Sequence, residues 1–314
     1  MIRLSAALLC VPTLAQADLN VVADIAPIHS LTAQIMGDTG TPALILPTDA
    51  DAHDFAFRPS DARTLQDADI VIMVGPDLTP WLVDPVITLA AGAQVLTLME
   101  TEGWEPLAIR SEHDHGDHGD HEDHEDHSNH AHEEHDDHDP DEHDTHSSAM
   151  DPHAWQDPTI AAIWAEAIAE QLTAIDPENA ATYAANLATT RDRLAELDAK
   201  AKATLTAAGS LLWPHDGYQY LEVRYGLDSK GSIADLHANT PGPGRIQALL
   251  DMVADQNIGC ILTDRDVNGD WIALMQANSD VPTAFIDGVG GGLEPGPDLY
   301  ETMMMNLVTA IAEC

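Results

Sequence analysis

Twelve of the 17 histidines in this 314-residue chain fall between Glu112 and His146. The same 35 residues hold 16 acidic side chains and neither lysine nor arginine. Neutral imidazole is a borderline-soft donor near pH 7, and carboxylates draw divalent ions electrostatically, so the composition suits late first-row metals. The histidines are His113, His115, His118, His121, His124, His127, His130, His132, His135, His138, His143 and His146. Their spacing specifies no single coordination geometry, which points to many weak, exchanging sites that capture or buffer metal. The segment has no apolar periodicity and cannot bury enough surface to offset the entropy of ordering, so a mobile loop is expected. A solvated charged linker that happens to be rich in histidine is the competing reading.

Five histidines lie outside that tract: His29, His53, His153, His215 and His237. His53 follows the apolar run Ala43 to Leu46 and an acidic loop, Asp49-Ala50-Asp51-Ala52. His215 follows a run ending at Trp213, and Asp287 directly follows Ala284-Phe285-Ile286. His153 sits in Asp151-Pro152-His153-Ala154-Trp155, just beyond the tract. In open α/β sheets, ligands bind outside the carboxyl ends of strands, so these loops could converge on one cleft. His29 and His237 could line that cleft or simply hydrogen-bond within loops. Asp264, after Ile261 to Thr263, reads as a solvated carboxylate that could also stand behind a ligand.

The elements that would position these residues follow from hydrophobic patterning. Leu19 to Ala23, Ala43 to Leu46, Ile70 to Val74 and Gln94 to Leu98 read as strands, alternating with helices at Ile28 to Ile35, Asp61 to Gln66 and Trp81 to Ala90. Ser210 to Trp213, Gly259 to Thr263 and Ala284 to Ile286 repeat the style, with helices at Tyr218 to Tyr225, Arg245 to Ala254 and Leu299 to Ala312. Alternation of this kind means parallel sheets with crossover helices. The expected fold is therefore α/β with two similar lobes, residues 18–156 and 209–314. Between them, residues 157–208 are rich in Ala, Glu, Leu and Lys, and Asp176-Pro177 reads as the start of one long, stiff linking helix. A helical hairpin within one lobe is the alternative.

Composition narrows the partners. The formal charge of −42 repels phosphate, so nucleic acid and anionic membrane surfaces are disfavoured. Residues 1–17 combine a short basic head, an apolar run from Leu4 to Leu14 and an Ala15-Gln16-Ala17 cleavage pattern, as in a secretory leader cut after Ala17. Beyond it, no stretch approaches the roughly 20 apolar residues that span a bilayer. Losing Cys10 with the leader leaves Cys260 and Cys314 in an oxidising compartment, where a disulfide is expected.

The motif His53-Asp-Phe-Ala-Phe-Arg-Pro-Ser-Asp61, continuing to Leu65 and Ala68-Asp69-Ile70-Val71, resembles the first ligand motif of the metal-specific solute-binding proteins of ABC importers. Asp151-Pro-His153-Ala-Trp155, His215-Asp-Gly-Tyr218 and Asp287-Gly-Val resemble their second, third and fourth motifs, in order. The histidine at the third position and the long acidic, histidine-rich segment before the second resemble the zinc-specific branch, as does the Cys260 and Cys314 pair. The resemblance implies a periplasmic protein with two lobes joined by one long helix. It also implies that Zn²⁺ is held between the lobes by His53, His153, His215 and either Asp287 or water, and handed to a membrane permease coupled to an ATPase. Three imidazoles and a carboxylate independently suit tetrahedral Zn²⁺. A monomer is expected, with a metallochaperone as a candidate donor.

Two other functions compete. A metal-dependent hydrolase could use three histidines and a bound water, but no His-Glu-x-x-His pair and no general base beside the ligands is present. An extracytoplasmic metal buffer without a transporter would need the same residues.

Overall fold

The computed structural model describes residues 19–110, 149–239, 241–255 and 258–314. The expected leader, residues 1–17, and the histidine-rich tract, residues 112–146, lie outside the described residues.

The first lobe runs β1 (Val21–Ala23), α1 (Ala26–Met36), β2 (Ala43–Leu44), α2 (Pro59–Gln66), β3 (Ile70–Met73), α3 (Pro80–Leu89) and β4 (Gln94–Thr97). Its four strands are parallel in the order β2-β1-β3-β4. The second lobe runs β5 (Ser210–Trp213), α6 (Gln219–Tyr225), β6 (Asp228–Ser232), α7 (Pro243–Ala254), β7 (Cys260–Thr263), α8 (Gly269–Asn278), β8 (Thr283–Phe285) and α9 (Leu299–Glu313). Its order, β6-β5-β7-β8, repeats the first, again with every pair parallel. The central strands read as unbroken apolar runs, such as Ile70-Val-Ile-Met73, because helices cover both faces of a parallel sheet.

Between the lobes stand two helices, α4 (Pro158–Ile175) and α5 (Ala180–Thr204), separated by a 3₁₀ turn at Pro177–Asn179. The long helix expected from Asp176-Pro177 is present, and at 25 residues it extends roughly 37 Å. The Ala- and Glu-rich pattern does not by itself mark off the helix before it, α4. Asp157 starts it, accepting the Thr159 N–H at 2.7 Å ahead of Pro158. Two more elements have weak signatures. β6 is Asp-Ser-Lys-Gly-Ser, an edge strand without an apolar residue, and α8 carries one continuous apolar run, Trp271 to Met275, that marks no single face.

Helix α1 is buried along its whole length, packed against α4, α5 and α9 as well as its own sheet. One hydrophobic core therefore runs from Val21 and Ile28 through Trp164 and Leu194 to Leu211, Tyr300 and Met303, crossing from lobe to lobe. A shared core of this kind makes the joint stiff, since sliding the lobes would open it. The expected disulfide is present between Cys260 and Cys314 and ties the end of α9 to the interior strand β7.

Tyr300 on α9 carries the lobe junction directly to the segment around His153. Fully buried, it donates its hydroxyl to the Trp155 carbonyl at 2.6 Å, while its own N–H reaches Ser30 Oγ on α1 at 3.0 Å. Tyr300→Phe should leave that carbonyl unpaired and cost ~1–2 kcal/mol. A urea melt would show it as a lower midpoint with an unchanged slope.

Candidate metal centre

Each candidate ligand sits on a loop braced from behind. His53 lies between β2 and α2, where its N–H donates to Asp51 Oδ1 at 2.8 Å. The Trp81 indole on α3 donates to the Ala52 carbonyl at 2.8 Å, and Phe55 packs edge-on against the same indole at 4.9 Å. The aromatic residues of the His53 to Asp61 motif thus anchor the loop to α3.

His153 follows Pro152 and is only 4% exposed. Asp151, fully buried, accepts from both the backbone N–H and Nδ1 of His153 through one oxygen, at 2.9 and 2.8 Å. That bond turns Nε2 outward as the free donor. The following residues cross to the second lobe: Trp155 Nε1 donates to the Gly288 carbonyl and Gln156 Nε2 to the Gly217 carbonyl. The Tyr220 hydroxyl donates to the Asp151 carbonyl from α6.

His215 follows β5, and Asp264 follows its neighbour β7, at the crevice where the strand order reverses. His215 Nδ1 and Asp264 Oδ2 lie 2.8 Å apart. The Asp264 side chain is only 4% exposed and also accepts the N–H groups of Asp266 and Val267 on its other oxygen. Its expected role as a solvated carboxylate is thus overturned, because strand pairing places it behind His215. Tyr218, stacked on Trp213 at 4.9 Å, covers the pair.

The three loops meet. His53 Nε2 and His153 Nε2 are 3.3 Å apart. Two nitrogens at Zn–N distances of about 2.0–2.1 Å and a tetrahedral angle stand about 3.3 Å apart. The ring of His153 is 5.3 Å from that of His53 and 5.7 Å from that of His215. A side-chain carbon placed on Gly217 would stand 2.3 Å from His215 Nε2 and 3.0 Å from His153 Nε2, so those nitrogens face one small space. Among the described residues, no group of three or more His, Cys, Asp and Glu side chains already stands in coordinating positions. The imidazoles are gathered at one place between the lobes.

Their protonation differs. Burial, then the neighbouring His153, His215 and His237, lowers the pKa of His53 to about 2, so it is neutral and carries a free lone pair. Burial pulls His215 down as well, but its hydrogen bond to Asp264 and the carboxylate charge outweigh that, and its pKa is raised. Asp264 is correspondingly lowered, His215 outweighing the effect of burial.

Asp287 lines the same cavity, and both its oxygens are engaged. Oδ2 accepts from Arg265 at 2.6 Å, and Oδ1 accepts the N–H groups of Val289 and Gly290 at 3.0 and 2.8 Å. The structure brings His53, His153 and His215 together and leaves Asp287 beside them as an ion pair. His29 lies elsewhere: buried on α1, its Nε2 bonds the Pro42 carbonyl at 2.9 Å, so it does not line the cleft. His237 does reach the cleft, with its ring 5.2 Å from that of His53. Sequence spacing alone does not reveal the roles of Asp151 and Arg265, although a carboxylate two residues before a candidate ligand is a usable signal.

Comparison with known proteins bears on these residues together. Residues 21–314 match the model of a family described as Zinc-uptake complex component A periplasmic. The high-affinity zinc uptake system protein ZnuA of Paracoccus denitrificans is 42% identical over 94% of this chain and 91% of its own. That of Brucella abortus is 35% identical over 97% and 94%. A crystal structure of ZnuA superposes with a TM-score of 0.76 at 18% identity, covering 95% of this chain and 99% of that one.

Proposed function

The chain belongs to the family of periplasmic zinc-uptake complex components, and on that premise we propose that His53, His153 and His215 hold Zn²⁺ for delivery to a membrane permease. It is a zinc-binding component of an uptake system and not an enzyme. The observation that carries the site is the 3.3 Å spacing of His53 Nε2 and His153 Nε2, with carboxylates behind His153 and His215. Zinc is the cargo, and the donor set suits it: imidazoles favour late first-row ions, whereas manganese prefers more oxygen.

In this reading residues 1–17 are a leader cleaved after Ala17. Residues 18–156 and 209–314 form the two lobes, and residues 157–208 the helical joint. The tract from Glu112 to His146 gathers zinc outside the cell membrane and raises its local concentration at the cleft. The protein acts as a monomer, with a metallochaperone as a candidate donor. Asp287 borders the site and steadies it through Arg265.

A competition titration of the demetallated mature protein with Zn²⁺ and Mn²⁺, beside a variant lacking residues 112–146, tests the division of labour. One tight Zn²⁺ equivalent is expected in both, with further weak equivalents only in the full chain. Loss of the tight site with the tract would overturn it. Deleting the gene should impair growth under zinc starvation. Sensitivity to excess zinc alone would instead indicate a buffer.

A further inference from the structure

We propose that His237 is a further zinc ligand, a fourth imidazole brought to the cleft by the turn between β6 and α7. The inference deepens the reading above and rests on it.

The ring of His237 lies 5.2 Å from that of His53 and nearly perpendicular to it, at 86°. Imidazoles sharing one tetrahedral ion through Nε2 place their centroids about 5 Å apart. The turn is built to hold this position. The Asp235 carboxylate accepts the N–H groups of His237 and Asn239 at 3.0 and 2.9 Å and the Asn239 side-chain amide at 2.8 Å. The Asp235 carbonyl accepts the Asp216 N–H at 3.3 Å, which stitches the turn to the residue after His215. Ala238 has φ 55°, the left-handed region, and is the one non-glycine residue there among those described. That conformation costs an alanine roughly 1–2 kcal/mol. Backbone held so, next to a gathered ligand set, is a sign of a positioned side chain.

Two further facts give His237 the fourth place. Asp287 has both oxygens committed to Arg265 and backbone N–H groups. The His237 side chain is exposed and borders a neighbouring cavity of about 420 Å³ beside the ligand cleft, so its ring has room to turn toward His53. Four neutral imidazoles leave the ion's two positive charges uncompensated, but Asp151 and Asp264, bonded to Nδ1 of His153 and His215, supply two negative charges directly behind them.

The test compares His237→Ala, His237→Gln and His153→Ala in the mature full-length protein. Zn²⁺ is kept below one equivalent, against a competing chelator, so that weak sites stay empty, and Co²⁺ is used as a spectroscopic probe. Both His237 variants should bind Zn²⁺ at least about tenfold more weakly. Their Co²⁺ complexes should lose visible absorption intensity as the four-nitrogen geometry opens, and the metal-free proteins should melt as wild type does. Wild-type affinity and spectrum in both His237 variants, with His153→Ala impaired, would overturn His237 alone. Wild-type affinity in His153→Ala would overturn the cleft site itself.

Discussion

His153→Ala should abolish the tight zinc equivalent. Zinc held by four protein ligands contributes ~10–16 kcal/mol in peptide sites, roughly 3 kcal/mol per ligand, so losing one weakens binding by about 10²-fold. His153 should exceed that share, because it is the middle of the set. Its ring neighbours both His53 and His215, which stand on different lobes. Zinc at 100 times its dissociation constant adds about 2.7 kcal/mol to wild-type stability, and that gain should vanish in the variant. His153→Gln is the companion, since truncation leaves the buried Asp151 carboxylate short of a donor that glutamine could restore. Calorimetric melts with and without zinc, run beside the competition titration, read both effects. An unchanged zinc-induced rise in melting temperature would place the tight site outside the cleft.

Much of this site was legible because a parallel sheet exposes ligands at its strand ends. His53 and His215 each follow an apolar run by a few residues, and His153 follows the tract where the chain re-enters the lobe. What stayed hidden depends on which strands lie side by side. Asp264 backs His215 only because β7 pairs with β5, and Arg265 meets Asp287 only because β8 pairs with β7. His237 falls near the cleft but matches no ligand motif, and the strand before it has no apolar residue to mark its register.

The lobes share a strand order, yet their crevices differ for a reason that lies in one residue. Asp24 directly follows β1, at the place that Pro214 holds after β5, one residue before His215. Asp24 is fully buried and accepts the N–H groups of Ile25 and Val74, the latter just beyond β3, at 2.7 Å each. Burial raises its pKa to about 7 despite those bonds. It stitches the first lobe's switch point shut with backbone hydrogen bonds. The first lobe must therefore offer its ligand from the next loop out, after β2, while the second offers His215 from the switch point itself. Internal duplication of topology thus yields one asymmetric site.

That asymmetry predicts the pH dependence. His53, neutral down to a pKa of about 2, releases no proton when zinc binds in the physiological range. His215, raised by Asp264, must lose one. Zinc affinity should therefore begin to fall as pH drops through a point above the ordinary histidine value of about 6.5. The metal-free fold carries the opposite sign. The His215–Asp264 pair adds stability that is complete below the unfolded histidine pKa and is lost as pH rises through the raised one. Asp264→Asn separates the two roles of the carboxylate. The amide can present its NH₂ to Nδ1, which forces the proton onto Nε2 and blocks the donor, so affinity at pH 8 should drop about 10–100-fold. With the carboxylate gone, burial dominates and the pKa of His215 falls, so the variant's residual affinity should persist to lower pH than that of wild type. Titrations at half-unit steps from pH 5 to 8 would show two curves that converge on acidification. Parallel curves would mean that Asp264 sets the strength of the site without setting its proton.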